Sequence, residues 1–564
     1  MSARTETPDA VDAAVADLRG GEAAWGALGL AGRRRLLEEL RRLTVEHADE
    51  WVRAAGGIKG LPRTSALVGE EWLSGPYPLV TSARALADSL DALERGGSPV
   101  DGFTVRPAPG GRSAVQVLPH DVFDRLLLSG YSAEVWSRPG VDADQVRARA
   151  GLAQRTPGLT AGVCAVLGAG NILSIAPLDV LYALHARNQV VALKLNPVTD
   201  PLLPVLERIF APYITGGFVR FLTGGPEVGR ALLHHQDVAA VHMTGSAATH
   251  DAVVFGEHAG SVDRTPVLLK PITSELGGVS PTVVVPGRWS PGDLRFQAQH
   301  VATHRLHNGG YNCIAAQAVV VSSDWPQKGE FLRELERAMD EAPGRDAWYP
   351  GSDDQTARAR EAYPLARRVG PARGRTLLLD VPAEAGEQAL TEEFFAPVLA
   401  VTELPGLGAD FLRSAVTFVN DSLTGTLGAN LVIDPVTERE LGASLEESIA
   451  DLRYGTVAVN AWTGLGYLTA RASWGAFPGH TIADVQSGIG VVHNALLLED
   501  PERTVVRGPF RILPRSLRHG VLAPKPPWFV DNRTARTTAR RLTAFAGSPG
   551  WRKLPAIFAS ALRG

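Results

Sequence analysis

Cys313 closes the run Asn308-Gly-Gly-Tyr-Asn-Cys313, and Glu275 opens Glu275-Leu-Gly-Gly278 a short way upstream. A thiol on a glycine-softened turn is a potential nucleophile. A carboxylate on a second glycine-rich turn is a potential general base. Covalent oxidation of an aldehyde followed by hydrolysis needs that pair. The thiolate is the attacking species, and a free thiol with a pKa of about 8.5 is only a few per cent ionised at neutral pH. A nearby base or a favourable local field must therefore assist Cys313.

The elements around this pair have to place it. Residues from about Asp9 to Ala55 read as amphipathic helices, with Leu36, Leu37, Leu40 and Leu43 on one stripe. From Val163 the pattern alternates. Short apolar runs at Val163–Leu167, Val190–Lys194, Phe218–Leu222 and Val238–Met243 are separated by helical stretches. That alternation predicts right-handed βαβ units and a parallel sheet covered on both faces. Ligands bind such sheets at the carboxyl ends of the strands, and Asn171, Lys194 and Thr244-Gly245-Ser246 all lie there. A second α/β region starts near Pro291, carries Cys313, and runs to about Asn460.

Composition sets the outer limits. The chain has 564 residues, 45% hydrophobic and 21% charged, as expected of a soluble globular protein with more than one domain. Its two cysteines, Cys164 and Cys313, make no disulfide framework and have no partner at metal-ligand spacing. Cys164, inside an apolar run, reads as a small buried hydrophobe. The histidines His234, His235, His304 and His307 form no ligand pattern, so no metal is expected. The amino terminus lacks the basic start and apolar stretch of a secretory signal. No run is long and apolar enough for a membrane span. A cytoplasmic, reducing location fits.

The net charge of −4 conceals an asymmetry, because the residues from Arg503 onward carry about +12 and the remainder about −16. A basic tail can bind nucleic acid or an anionic membrane. Here Trp528, Phe529, Phe545, Trp551, Leu554 and Phe558 supply apolar anchors that a purely electrostatic arm would not need. Docking on the chain's own acidic body or on a neighbouring subunit is therefore expected, with no nucleic acid as partner.

Taken together, these motifs resemble the aldehyde dehydrogenase superfamily, from the amino-terminal helices to about His493. The catalytic turn reads Asn308 to Cys313, and Glu-Leu-Gly-Gly and Thr-Gly-Ser are intact at 275–278 and 244–246. Asn171 stands in Gly168-Ala-Gly-Asn171, and Lys194, Glu393, Phe395 and Pro397 match the cofactor-side positions. The resemblance implies an α/β fold with a Rossmann-type cofactor domain and an α/β catalytic domain. It implies Cys313 as nucleophile, Asn171 as oxyanion donor and Glu275 as the base that activates water. It also implies NAD or NADP held by Lys194, Thr244, Gly245, Ser246, Leu276, Glu393 and Phe395. The expected division is residues 1–288 for the amino-terminal helices and cofactor domain, 289–462 for the catalytic domain and 463–497 for a return to the cofactor domain with oligomer contacts. A basic extension follows over 498–564. A homo-oligomer, dimer or tetramer, is the family expectation.

Several positions depart from the family pattern. Pro197 stands where a carboxylate often bonds the adenosine 2′-hydroxyl, which leaves room for NADP. His250 replaces a glycine after Thr-Gly-Ser, Tyr311 replaces the usual glutamine, and the terminal motif reads Trp474-Gly-Ala-Phe-Pro-Gly-His480. These changes are expected to reshape the helix start and the substrate funnel. The stretch 119–156 reads as an insertion. Two other readings stand beside hydrolytic oxidation: a CoA-linked acylating dehydrogenase or acyl-CoA reductase, and a non-catalytic cofactor-binding scaffold. Glu275 argues against the former, and the Cys313–Glu275 pair against the latter.

Overall fold

The computed structural model describes residues 8–156, 158–261 and 264–564. The stretch assessed for a secretory signal lies, through Thr7, outside the described residues. Helices Pro8–Ala27, Gly29–Glu46 and Ala48–Ile58 form the expected amino-terminal layer. Leu37 and Leu40 are fully buried, and Gly29–Glu46 packs along the helix Pro76–Glu94.

Two sheets carry the site. The first has six strands in the spatial order Gly488–Ile489, Ile272–Leu276, Val238–Gly245, Val163–Leu167, Val190–Lys194, Val219–Leu222. All pairs are parallel except the outer one to Gly488–Ile489. Helices cover both faces, so Val163–Leu167 and Val190–Lys194 are apolar along nearly their whole length instead of alternating.

The second sheet has eleven strands. Its centre runs Thr456–Val459, Gly428–Val432, Ser280–Val284, Ala316–Ser322, Val398–Leu404, all parallel. Arg375–Val381 and the short Arg367–Val369 finish one side. On the other side stand Pro501–Arg507, Ser132–Ser137, Arg112–Leu118 and Val105–Ala108.

Three boundaries differ from the expectation. Ser280–Val284 already belongs to the second sheet, so the chain changes sheets at Gly277-Gly278 and not at 288. Pro281 inside that strand disguised it in the sequence. The stretch 119–156, read as an insertion, contributes the strand Ser132–Ser137, which sits between Arg112–Leu118 and Pro501–Arg507, antiparallel to both. The basic tail likewise begins inside the sheet, where Pro501–Arg507 runs parallel to Thr456–Val459.

Past that strand the tail lies on its own body. Trp528, Phe529, Phe545 and Leu554 are buried, whereas Trp551 is 61% exposed and only leans on Phe123. Arg511 and Arg515 reach Asp293 at 3.0 and 2.8 Å, and Arg540 reaches Asp49 at 3.1 Å. The helix Ala535–Gly547 crosses Val68–Leu73 so closely that a Cβ on Gly69 would lie 2.5 Å from the Ala535 carbonyl carbon. Among the described residues no helix is long and apolar enough to cross a membrane.

Candidate active site

Cys313 follows a turn in which Asn308, Gly309 and Gly310 take φ of +57°, +75° and +87°. Glycine tolerates that region, and asparagine is among the few other residues that enter it readily. At Gly310 space demands glycine as well, since a Cβ would lie 3.1 Å from the Ala396 carbonyl. The turn is pinned from several sides. Asn308 Nδ2 donates to the carbonyls of Asn171 and Tyr311 at 3.1 and 2.8 Å. Its Oδ1 accepts from Lys59 Nζ at 2.9 Å, and its N–H donates to Glu70 at 3.1 Å. Lys59 and Glu71 pair at 2.9 Å and Arg345 and Glu70 at 2.6 Å, all buried. The buried Arg305 donates to the carbonyls of Gly310, Ala315, Ala316 and Ala396. Buried charge is costly unless paired, so this network fixes the turn's register more than it adds stability.

Asn171 is buried and its Nδ2 donates to the Tyr311 carbonyl at 3.3 Å. It caps no helix, since the helix Ile175–His185 starts after Ser174. Glu275 is the last but one residue of the strand Ile272–Leu276 and is 1% exposed. Burial pushes its carboxyl up to about 8, a rise opposed by hydrogen bonds from Cys313 and Trp474 and reinforced by Asp179. Burial also drives the Cys313 thiol well above its ordinary range, and the carboxylates of Glu275 and Glu393 push the same way. Glu393 is itself raised to about 8 by burial, against the pull of Arg305 and a Gly278 backbone hydrogen bond. The resting site thus holds a protonated thiol beside a carboxyl that becomes able to accept a proton as it ionises near pH 8. Cys164, by contrast, is buried in the first sheet, where desolvation lifts its thiol to about 12.

One cavity of about 1060 Å³ brings together Asn171, Lys194, Thr244, Gly245, Ser246, Glu275, Cys313, Glu393 and Phe395. Leu276 does not line it, because its side chain packs with Met243 and Val485 behind the strand. An odd-even step along Ile272–Leu276 turns neighbouring side chains to opposite faces, so Glu275 and Leu276 cannot share one. Thr244 lines the wall while its hydroxyl donates to Asp179 at 3.2 Å. Ser246 caps the helix Ala247–Phe255 at the rim, accepting from the Thr249 N–H at 3.1 Å.

Two departures act otherwise than expected. His250 is fully buried and does not line the cavity. Tyr311 does not line the funnel. Its hydroxyl bonds Ser352 at 2.6 Å, and its ring joins Trp348, Tyr349 and Phe395 in a cluster that backs the cavity. Trp474 does stand on the substrate side, in a small chamber that also touches Cys313. Sequence reasoning missed Arg305, which acts through backbone carbonyls that no motif records. It also missed Arg230, on the helix Pro226–His234, which lines the cavity together with Pro197 and Lys194. His234, read as a surface or core-edge residue, lines it too.

The family profile described as Aldehyde dehydrogenase family matches residues 133–356. Aminoacetaldehyde dehydrogenase of Pseudomonas aeruginosa is 29% identical over 217 residues, covering 36% of this chain and 41% of that protein. Vanillin dehydrogenase of an Amycolatopsis species is 30% identical over 262 residues, covering 42% and 50% respectively. The chain thus matches half or less of the length of these curated relatives. Among solved structures, the aldehyde dehydrogenase KauB from Pseudomonas aeruginosa is 20% identical with a TM-score of 0.61, covering 90% of both chains. An indole-3-acetaldehyde dehydrogenase complexed with NAD+ gives 19% and 0.59, covering 89% of both. At such identities the likeness is one of fold. Profile, relatives and fold all point to the aldehyde dehydrogenases as what this chain is similar to, with the profile matching about two fifths of its length.

Proposed function

We propose that this protein oxidises an aldehyde to a free carboxylic acid with NAD or NADP, through a covalent thioester on Cys313. The observation that carries the reading is that Cys313, Glu275 and Asn171 line one cavity, with the carboxyl and the thiol near enough to shift each other's proton affinity. In this reading Glu275 takes the Cys313 proton as Sγ bonds to the aldehyde carbon. The carbonyl oxygen becomes an oxyanion held by the Asn171 amide and the Cys313 N–H, donors worth a few kcal/mol each in a dry pocket.

A dinucleotide fits the residues present. The cavity volume suits it, glycines at 168, 170, 225, 229 and 245 leave its wall open to close approach, and Ser246 heads a helix whose N-terminus attracts phosphate. Lys194 would hold the adenosine ribose and Glu393 the nicotinamide ribose. When bound, the oxidised dinucleotide supplies the two-electron acceptor that leaves the carbon as a thioester. Once Glu275 has released the thiol proton to solvent, it draws a proton from water, the oxygen adds to the thioester carbon, and Sγ departs as thiolate. The proposal extends to a cytoplasmic setting and to a homo-oligomer. Both outer strands of the large sheet are short and carry arginine, so subunit contacts would use other surfaces.

The test is product identification on an aldehyde panel, with NAD and NADP separately, with and without CoA, using Cys313→Ala as the blank. Free acid formed without CoA and absent from the blank is the expected result. A thioester formed only with CoA would overturn the hydrolytic reading.

A further inference from the structure

Cys313 faces two spaces. One is the cofactor cavity; the other is a narrow chamber of about 30 Å³ walled by Ile172, Ile175, Trp462, Tyr467 and Trp474. Leu73 and Leu468 close the far end of that chamber, and both also line a third cavity of about 180 Å³. The third cavity lies between the main body and the tail. Tyr131, Trp528, Leu542, Phe545, Ile557 and Phe558 face it, drawn from the stretch 119–156 and the residues after 520. An apolar cavity of roughly 150 Å³ in another protein stays dry and takes up benzene, so this space is large enough for organic matter.

We propose that the two apolar spaces form one substrate tunnel, and that the aldehyde is an unbranched, medium- to long-chain aliphatic one. Its carbonyl sits at Cys313, its chain threads the neck at Leu73 and Leu468, and its methyl end fills the chamber built by the tail. This rests on the reading of Cys313 as the nucleophile. The inner chamber is too small for a branched or aromatic group beside the reacting carbon. The charged groups of the outer cavity, Arg84, Asp121, Asp124 and Arg471, form one polar edge where Arg471 is paired with Asp88 at 2.6 Å, and deeper in the Tyr467 hydroxyl is held by Ser174 at 2.7 Å. The tail therefore has a function that its basic charge does not suggest. It supplies the apolar lid of the substrate site.

The experiment is a chain-length series of straight alkanals from propanal to decanal on the full-length protein, read as kcat/KM. Each added methylene buried should raise it about threefold, and decanal should exceed propanal at least about a hundredfold. In Ala546→Trp and, separately, Ala561→Phe, both of which fill the outer chamber, the decanal-to-propanal ratio should fall at least about tenfold. Decanol, which cannot acylate Cys313, should raise the melting temperature of the wild-type protein and not of the filled variants. A flat series, or a ratio unmoved by both variants, overturns the tunnel while leaving the Cys313 chemistry intact. Decanol binding without any acylation of Cys313 by propanal or decanal overturns the catalytic reading and keeps the chamber. No decanol binding together with no acylation of Cys313 by propanal or decanal overturns both.

Discussion

Glu275 and Cys313 meet as carboxyl and thiol inside one buried chamber, and their contact lowers the proton affinity of the first while raising that of the second. Burial is nonetheless the larger influence on Glu275 and leaves it at about 8. A base with that pKa is mostly protonated at pH 6 and mostly ionised at pH 9. Hydrolysis of the acyl-enzyme should therefore rise with pH, about tenfold per unit well below 8, and level off above it. Single-turnover hydrolysis of acylated protein across pH 6 to 9 checks this. In Glu275→Gln the rise should vanish and the plateau rate fall about 10²- to 10⁴-fold. The acyl-enzyme should then accumulate to a level visible by intact-protein mass spectrometry.

The same cavity shows what a side chain at Gly277 would disturb. Its φ is unremarkable, but a Cβ there would meet the Glu393 carboxylate oxygens well inside contact distance. Gly277→Ala should thus displace Glu393 without touching Cys313 or Glu275. The expected outcome is at least about a tenfold weaker dinucleotide Kd, with a melting temperature within a few degrees of wild type. Titration of protein fluorescence with NADH measures the first and calorimetry the second. An unchanged Kd would mean that Glu393 does not contact the ribose.

Much of the fold and site could be read in the chain because it is written in local patterns. Val163–Leu167 and Val190–Lys194 are short apolar runs between helices, the Thr244 and Glu275 motifs stand at strand ends, and the Asn308 motif stands at a turn whose positive φ suits asparagine and glycine. What stayed hidden depends on contacts between distant segments. The strand Ser132–Ser137 pairs with Pro501–Arg507 across more than half the chain, so 119–156 resembled an insertion and the tail an appendage. Arg305 sits in a helix and looks like any solvated arginine until its four carbonyl partners are seen. Leu276 was assigned by its motif, although alternation along a strand turns it away from the face that carries Glu275.

Cofactor choice should be set at Pro197 and Arg230. Both line the cofactor cavity beside Lys194, with a proline where a carboxylate would repel a 2′-phosphate and a guanidinium able to accept one. A charge-assisted hydrogen bond contributes about 1.5–3 kcal/mol, roughly a factor of ten or more. Arg230→Ala should weaken 2′-phospho-ADP-ribose at least about tenfold and ADP-ribose little. Pro197→Glu should move the preference further towards the unphosphorylated ligand. Isothermal titration of both ligands against both variants decides it. Equal losses for the two ligands would remove Arg230 from phosphate recognition.

The position of Pro501–Arg507 predicts where the tail can be cut. A deletion of residues 503–564 removes a strand held on one side by Thr456–Val459 and on the other by Ser132–Ser137. It exposes two strand edges in the middle of a sheet, and such edges invite aggregation. That protein should be insoluble. A deletion that starts at Ile512 keeps the strand and its Arg507–Glu446 pair at 2.8 Å. It strips the helix Ala535–Gly547 from Gly69 and uncovers Trp72 and Phe296, which pack against the tail. It should fold with a lower melting temperature, by several degrees or more given the apolar area uncovered. If the tail is also the lid of the substrate site, this truncated protein should keep turnover of propanal and lose most of its advantage with decanal. Equal loss on both aldehydes would instead mark the tail as a support for the whole fold, with no part in choosing the substrate.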